Sequence, residues 1–246
     1  MPELTTMTWR DVRAAGAGGI ALLPVGSQEQ HATHLPMGTD AMLAEAVADR
    51  AVARLNGEPA VVRLPCLPFG HSPHHLFAAA VSLSATTLLA VLTDVLDSLV
   101  RSGFRRVLIV NGHGGNDEIV RLAVKQYALR ADVALAACSY WALADAEDPD
   151  RTPGHAGWFE TSLMLAAHPE LVGDAAVRPP VTPLFDRPPH AGLVVERHGE
   201  WERAGGTTDD ASGADAGTGT RLLAARVDGL VAAIRAFDEA TRESHG

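Results

Sequence analysis

The sequence predicts an α/β fold, with a mostly parallel sheet between helices above and below, and three observations point there. Val107-Leu108-Ile109-Val110 is an unbroken apolar, largely β-branched run, which suits a strand buried on both faces. That run passes through Asn111-Gly112-His113-Gly114-Gly115-Asn116 into residues 117–124, where apolar side chains return at helical spacing. Other apolar runs at 19–26, 59–67 and 133–140 alternate with helical stretches at 41–55, 85–102 and 116–130, as in βαβ units that build a doubly wound sheet.

Each element has its local reason. Thr8 is placed to cap a brief helix that stops near Gly16. Gly19-Ile20-Ala21-Leu22-Leu23-Pro24-Val25-Gly26 forms the first strand and runs into a polar segment, 27–40, before the helix from Ala41. The strand at 59–67 ends in a loop through Phe77 that carries His71, His74 and His75. Gly103 stops the helix at 85–102. Residues 144–153 are acidic and aperiodic, an expected exposed loop, and lead to Gly154-His155-Ala156-Gly157-Trp158-Phe159-Glu160 and a helix at 161–167. Two irregular stretches, 178–189 and 205–219, are expected over the sheet edge or at a subunit contact. An amphipathic helix over 220–244 presents Leu222, Leu223, Val227, Leu230, Val231 and Ile234 for packing.

With 246 residues and 47% hydrophobic content, the chain is long enough for one large domain, expected over 1–246. A net charge of −10 argues against a nucleic-acid partner, because phosphate binding needs clustered Lys and Arg. No apolar run reaches the ~18 residues of a membrane span, so no membrane partner and a cytoplasmic location are expected. Cys66 and Cys138 lie in apolar surroundings outside any metal-binding spacing, and buried free thiols are the expectation over a disulfide.

The residues that carry chemistry gather at predicted strand ends, where ligands bind parallel sheets. After the first strand come Glu29, His31 and Asp40; after the central strand, His113; before the 161–167 helix, His155 and Glu160. Each has a structural alternative, Asp40 as a helix N-cap and Glu160 as a partner of a helix dipole. The three histidines of the 68–77 loop have no carboxylate beside them and read as pocket lining rather than ligands. Carboxylates and imidazoles without thiolates suit Zn²⁺ or Mn²⁺ in a hydrolytic site. Three carboxylates with two or three histidines exceed what one ion takes, so two ions fit better, with Asp40 as the bridge and a hydroxide held between ions ~3.5–4 Å apart. A dinucleotide loop of the G-x-G-x-x-G type would need glycine at 117, where Asp117 stands, and no Gly-Lys-Ser/Thr phosphate loop exists.

These motifs together resemble the creatininase family of metal-dependent amidohydrolases. Leu23-Pro24-Val25-Gly26-Ser27, Glu29-Gln30-His31, His34-Leu35-Pro36 and Gly38-Thr39-Asp40 look like its first signature. Asn111-Gly112-His113-Gly114-Gly115-Asn116 resembles the second, and His155-Ala156-Gly157 with Glu160-Thr161-Ser162 the third. The resemblance implies a three-layer α/β/α fold with a mostly parallel central sheet, two divalent ions per subunit (Zn²⁺ first, Mn²⁺ or Fe²⁺ as alternatives), and a homohexamer. It implies Glu29, His31, Asp40, His113 and Glu160 as metal ligands, and His155 as an acid or base near the substrate carbonyl. The implied reaction is hydrolysis of a C–N amide-type bond in a small molecule, a cyclic amide or a formamide. Trimming of a peptide tail and opening of a carbocyclic ketone are the alternatives, and a non-catalytic metal-stabilised binding protein is the alternative of another class. Creatinine-hydrolysing members carry glutamate where this chain has Gly115, which argues against creatinine as substrate. Two other departures are Ala32-Thr33 in place of Gly-Pro and Ala80-Val81 in place of Gly-Thr.

Overall fold

A computed structural model describes residues 2–144, 153–174 and 179–242. Its centre is a four-stranded, fully parallel sheet in the order β2-β1-β3-β4, formed by β1 (Ile20–Val25), β2 (Val61–Arg63), β3 (Arg106–Asn111) and β4 (Ala134–Ser139). The predicted strand at 59–67 is shorter than expected. Only Val61–Arg63 forms continuous strand; Leu64 still donates to the Leu22 carbonyl, and Leu67 meets β1 again as an isolated parallel bridge to Val25.

Alternation along the strands divides the core in two. Ile20, Leu22, Leu108 and Val110 face one side with α2 (Thr39–Leu55), α5 (Trp158–Ala167) and α7 (Ala216–Thr241). Ala21, Leu23, Val107 and Ile109 face the other with α3 (Ala85–Arg101) and α4 (Asp117–Ala128). The three-layer α/β/α arrangement follows, because each strand is apolar on both faces and each face needs a helical cover. At roughly 1.5–3 kcal/mol per fully buried aliphatic side chain, these two faces carry most of the drive to fold.

The helices keep the caps their sequences announce. α1 (Trp9–Gly16) opens on a capping box between Thr8 and Asp11, and Gly103, at φ +108°, follows α3 in the left-handed region. Several boundaries move, among them the start of α2, at Thr39 rather than 41, and both ends of α4. α5 begins at Trp158 rather than 161. α7 begins at Ala216, capped by the Asp215 carboxylate on the Thr218 N–H, and ends at Thr241. A short 3-10 turn, Gly114–Asn116, stands before α4. The loop expected at 144–153 lies almost wholly outside the described residues. Cys66 and Cys138 are free thiols, half-buried rather than buried, and burial pushes both up to about 12. Among the described residues, no helix is long and apolar enough to cross a membrane.

The strand order creates a place for ligands. β1 connects outward to β2, while β3 lies on its other side, so the crossovers diverge at the β1/β3 junction. Val25 and Asn111 pair there in register, and the loops after them open a crevice at the carboxyl edge of the sheet.

Candidate metal centre

The loop after β1 delivers Glu29 and His31 to this crevice, and the loop after β3 delivers His113. Asp40 arrives on the first turn of α2. The N-cap of α2 is Gly38, without a side-chain cap bond, so the capping alternative for Asp40 is overturned. Its carboxylate turns inward instead, Oδ1 lying 3.0 Å from His31 Nε2 and Oδ2 3.1 Å from His113 Nδ1. Close approach of α2 to β3 makes this geometry, and it requires Gly112: a Cβ there would stand 2.4 Å from the Asp40 carbonyl oxygen.

Glu160 comes from α5, and His155 from the turn before it. That turn folds tightly enough to bring both to one place, with Ala156 at φ +53° and its N–H donating to Glu160 Oε2 at 2.7 Å. Glu160 therefore has a partner of its own and is more than a dipole companion; Oε2 also lies 3.7 Å from His31 Nε2. The loop before α7 pins the same turn. Thr208 Oγ1 accepts the His155 N–H at 2.6 Å, and Asp209 Oδ2 accepts from Trp158 N–H at 3.1 Å. The 205–219 segment, expected at an edge or subunit contact, thus supports the site. Its sequence of small and polar residues gave no sign of this role.

Four groups of ligand-type side chains result among the described residues: Glu29, Asp40 and His113; His31, Asp40 and Glu160; Glu29, His31 and His155; and Glu29, His74 and His75. Asp40 belongs to the two that pair carboxylates from separate elements. Glu29 is 0% and Asp40 1% exposed. Glu29 Oε1, Glu29 Oε2 and Asp40 Oδ2 are buried without a well-formed hydrogen bond among the described residues. Burying a charge without a partner costs several kcal/mol, so oxygens in this state call for cations. Burial opposes charge on His31, but the carboxylates of Asp40, Glu160 and Glu29 prevail and lift it to about 10; Glu29 and Asp40 likewise raise His113 against its burial. Burial alone would raise Asp40, yet His31 and His113 hold it below the usual carboxylate range. Burial, aided by Asp40, lifts Glu160 to about 8. Protons thus supply the positive charge that divalent ions would supply when bound.

The tautomers fit the same purpose. His31 Nδ1 lies 3.0 Å from the Glu29 carbonyl oxygen, and His113 Nε2 lies 3.0 Å from that of His71. A carbonyl only accepts, so each ring donates N–H outward and turns its other nitrogen toward the carboxylates, the usual arrangement of metal-ligating histidines. His155 follows suit: Nε2–H donates to the Gln30 carbonyl at 2.8 Å, leaving Nδ1 3.3 Å from Glu29 Oε1. Burial, then His31 and His75, keep His155 well below the ordinary histidine value.

The 71–75 loop closes over the second motif, and His71, His74 and His75 all line the cavity, as expected. His75 also lies 3.3 Å from Glu29 Oε1, which the lining reading alone did not foresee. His34 is structural, its Nε2 meeting Thr161 Oγ1 at 2.8 Å and tying the first loop to α5. Sequence reasoning missed Gln30, whose side chain reaches His75 and the Gly206 carbonyl, and Trp201, which stacks on Phe185 at 4.3 Å above the histidines. Gln30, flanked by Glu29 and His31, could have been suspected from its position; no pattern marks Trp201. The cavity has a volume of about 750 Å³. Gly115 leaves no room for a side chain, because a Cβ would stand 2.3 Å from the His71 carbonyl oxygen.

Comparisons with known proteins place the chain in a family. The sequence model of the creatininase family, described as creatinine amidohydrolase, matches residues 5–234. The creatinine amidohydrolase of Pseudomonas putida is 33% identical over 255 aligned residues, covering 93% of this chain and 94% of that protein. The mycofactocin precursor peptide peptidase of Mycobacterium ulcerans (strain Agy99) is 33% identical over 226, covering 87% of this chain and 83% of that protein. A solved structure described as "Creatininase Mn" superposes with a TM-score of 0.78 at 30% identity, covering 95% of this chain and 97% of that one. With the family model spanning nearly the whole chain and the motifs meeting at one sheet edge, this protein is a member of the creatininase family of amidohydrolases.

Proposed function

We propose that this protein hydrolyses a C–N amide-type bond of a small molecule, a cyclic amide or a formamide, with two divalent ions. The observation that carries this reading is Asp40 shared between two buried three-residue groups, with three carboxylate oxygens left without a well-formed hydrogen bond among the described residues. Glu29, Asp40 and His113 would hold one ion and His31, Asp40 and Glu160 the other, Asp40 bridging. Zn²⁺ is the first choice for this donor set and Mn²⁺ or Fe²⁺ the alternatives; likeness to a creatininase described with Mn supports keeping manganese among them. Two such ions acidify water and polarise a carbonyl.

The chain's own residues supply the remainder. His155, neutral and held by the Gln30 carbonyl, presents Nδ1 to the cavity and can take a proton and hand it to the leaving nitrogen. Trp201 and His74 wall the cavity and limit water around that transfer. The lack of room at Gly115 weighs against creatinine, whose hydrolysing members place glutamate there. A second reading, removal of a short peptide tail, draws on the likeness to a mycofactocin precursor peptidase and on a cavity large enough for more than a small ring. Exposed Leu76, Phe77 and Val81 offer apolar surface for a homo-oligomer, a hexamer on the family resemblance, which light scattering would test.

Elemental analysis paired with a substrate panel tests the reading. About two ions per chain, with chelator-sensitive turnover of lactams or formamides, is the expected result. Turnover of peptide tails alone would select the second reading. Metal-free protein as purified, inert across the panel with and without added Zn²⁺ or Mn²⁺, would favour a binding protein.

A further inference from the structure

We propose that His75 is a positioning residue: Gln30 fixes it as the Nε2–H tautomer, and that N–H holds the Glu29 carboxylate in place for the first cation. The inference rests on the metal reading for the cation, though not for the proton.

Two backbone groups independently fix the orientation of the Gln30 amide. Ala32 N–H, a donor, lies 2.9 Å from Oε1, and the Gly206 carbonyl, an acceptor, lies 2.8 Å from Nε2. Nε2 is therefore the NH₂ group. Its second hydrogen has two neighbours, His75 Nδ1 at 2.7 Å and His155 Nε2 at 3.2 Å. His155 Nε2 already donates to the Gln30 carbonyl and cannot accept, so the hydrogen goes to His75 Nδ1. A ring whose Nδ1 accepts carries its proton on Nε2.

That Nε2–H points inward. Among the described residues it is fully buried without a well-formed hydrogen bond, and it faces Glu29 Oε1 at 3.3 Å. His113 Nδ1 at 3.2 Å and His155 Nδ1 at 3.3 Å approach the same oxygen, but in the tautomers that their outward N–H bonds select, those nitrogens carry lone pairs and do not donate. A buried donor and a buried acceptor facing one another at 3.3 Å need only a small shift to form one hydrogen bond, and leaving both unmade would cost their desolvation. Ligating carboxylates are commonly held by a hydrogen bond from outside the ligand set. The same tautomer disfavours His75 as a ligand, because Nε2 carries the proton and the Nδ1 lone pair is taken up by the Gln30 amide. Glu29, His74 and His75 lie close enough to hold a cation, yet this site should bind two ions and not three.

Two measurements test this on the full chain. In ¹⁵N-histidine-labelled, zinc-loaded protein, long-range ¹H–¹⁵N spectra should show the His75 resonances, identified by their loss in a His75 variant, in the neutral Nε2–H pattern. An Nδ1–H or doubly protonated pattern overturns the proposal. Zinc affinity by chelator competition should then fall about 10–100-fold for one of the two ions in His75→Leu. His75→Gln, whose amide N–H can stand near Nε2, should stay close to the unsubstituted protein. Equal weakness of both variants, an unchanged His75→Leu, or a third zinc lost with His75 would each overturn it. If His75→Leu fails to fold, the tautomer and the Gln variant still decide. If zinc does not bind the unsubstituted protein, the metal reading fails, and the metal-free spectrum still decides the tautomer.

Discussion

Three loops bring an imidazole to the same oxygen of Glu29, His113 at 3.2 Å among them, and the other two rings do opposite things there. His155, from the turn before α5, and His75, from the loop after β2, stack at 4.3 Å with 22° between their planes, and each lies 3.3 Å from Glu29 Oε1. His155 presents a lone pair; on our reading His75 presents an N–H. One residue sets both, since the Gln30 carbonyl takes the His155 proton and the Gln30 amide gives one to His75. Histidines equidistant from one atom can thus have different duties, decided by what stands behind each ring.

Removing the frame around both rings should have the largest effect. Asp40→Ala deletes the residue common to both ligand groups, so ion content should collapse, and turnover with it by about a thousandfold or more, the several kcal/mol expected of metal-supplied stabilisation. Retained ions and turnover in that variant would remove Asp40 from the bridge. His155→Ala should slow turnover about 10²–10⁴-fold, the range for a positioned acid or base, while elemental analysis still finds both ions. Loss of an ion there would make His155 a ligand and erase its contrast with the other histidines.

A pH series on chelator-treated protein sharpens the comparison further. Without ions, Asp40 and its neighbours overcome burial to raise His31 from 6.5 to about 10, so stability from this group is full below 6.5 and lost as pH rises through about 10. Burial raises Glu160 from 4.5 to about 8, and a raised acid acts in the same direction, its contribution fading as pH rises through about 8. Below about pH 6.5 the histidines that burial holds low, His74, His75 and His155, work in the opposite direction, so the Tm of the metal-free protein should fall clearly between about pH 6.5 and 10, while the zinc-loaded protein stays flat over that window; parallel curves would mean that protons and ions do not compete for this site. The smallest effect is expected at Ala32, beside His31, which stands at φ +55°. Ala32→Gly relieves left-handed strain of about 1 kcal/mol but adds chain entropy of similar size, so thermal melting should hardly move and both tautomers should persist.

Much of the site was legible because its residue types are uncommon at strand ends. Glu29, His31, Asp40, His113 and Glu160 stood out by chemistry and by their place after apolar runs, and the structure brings all five to one crevice with His155 beside them. Gln30 and Trp201 did not stand out, because an amide in a polar loop and an aromatic near glycines have many ordinary explanations. The short β2 was misjudged at both ends, since after Arg63 the ladder is interrupted, Leu64 and Leu67 bonding to β1 only singly and as an isolated bridge rather than as continuous strand.

By itself, then, the sequence determined the layers and a candidate donor set: apolar runs buried on both faces require helices on both sides, and carboxylates with imidazoles at strand ends nominate the residues proposed to hold the ions. Only the tertiary structure decided which nitrogen of each histidine faces Glu29, that Asp40 is common to both groups, and that His71 closes the space at Gly115. Those depend on partners such as Gln30 with Gly206, 176 positions apart, and no local pattern encodes a contact of that range.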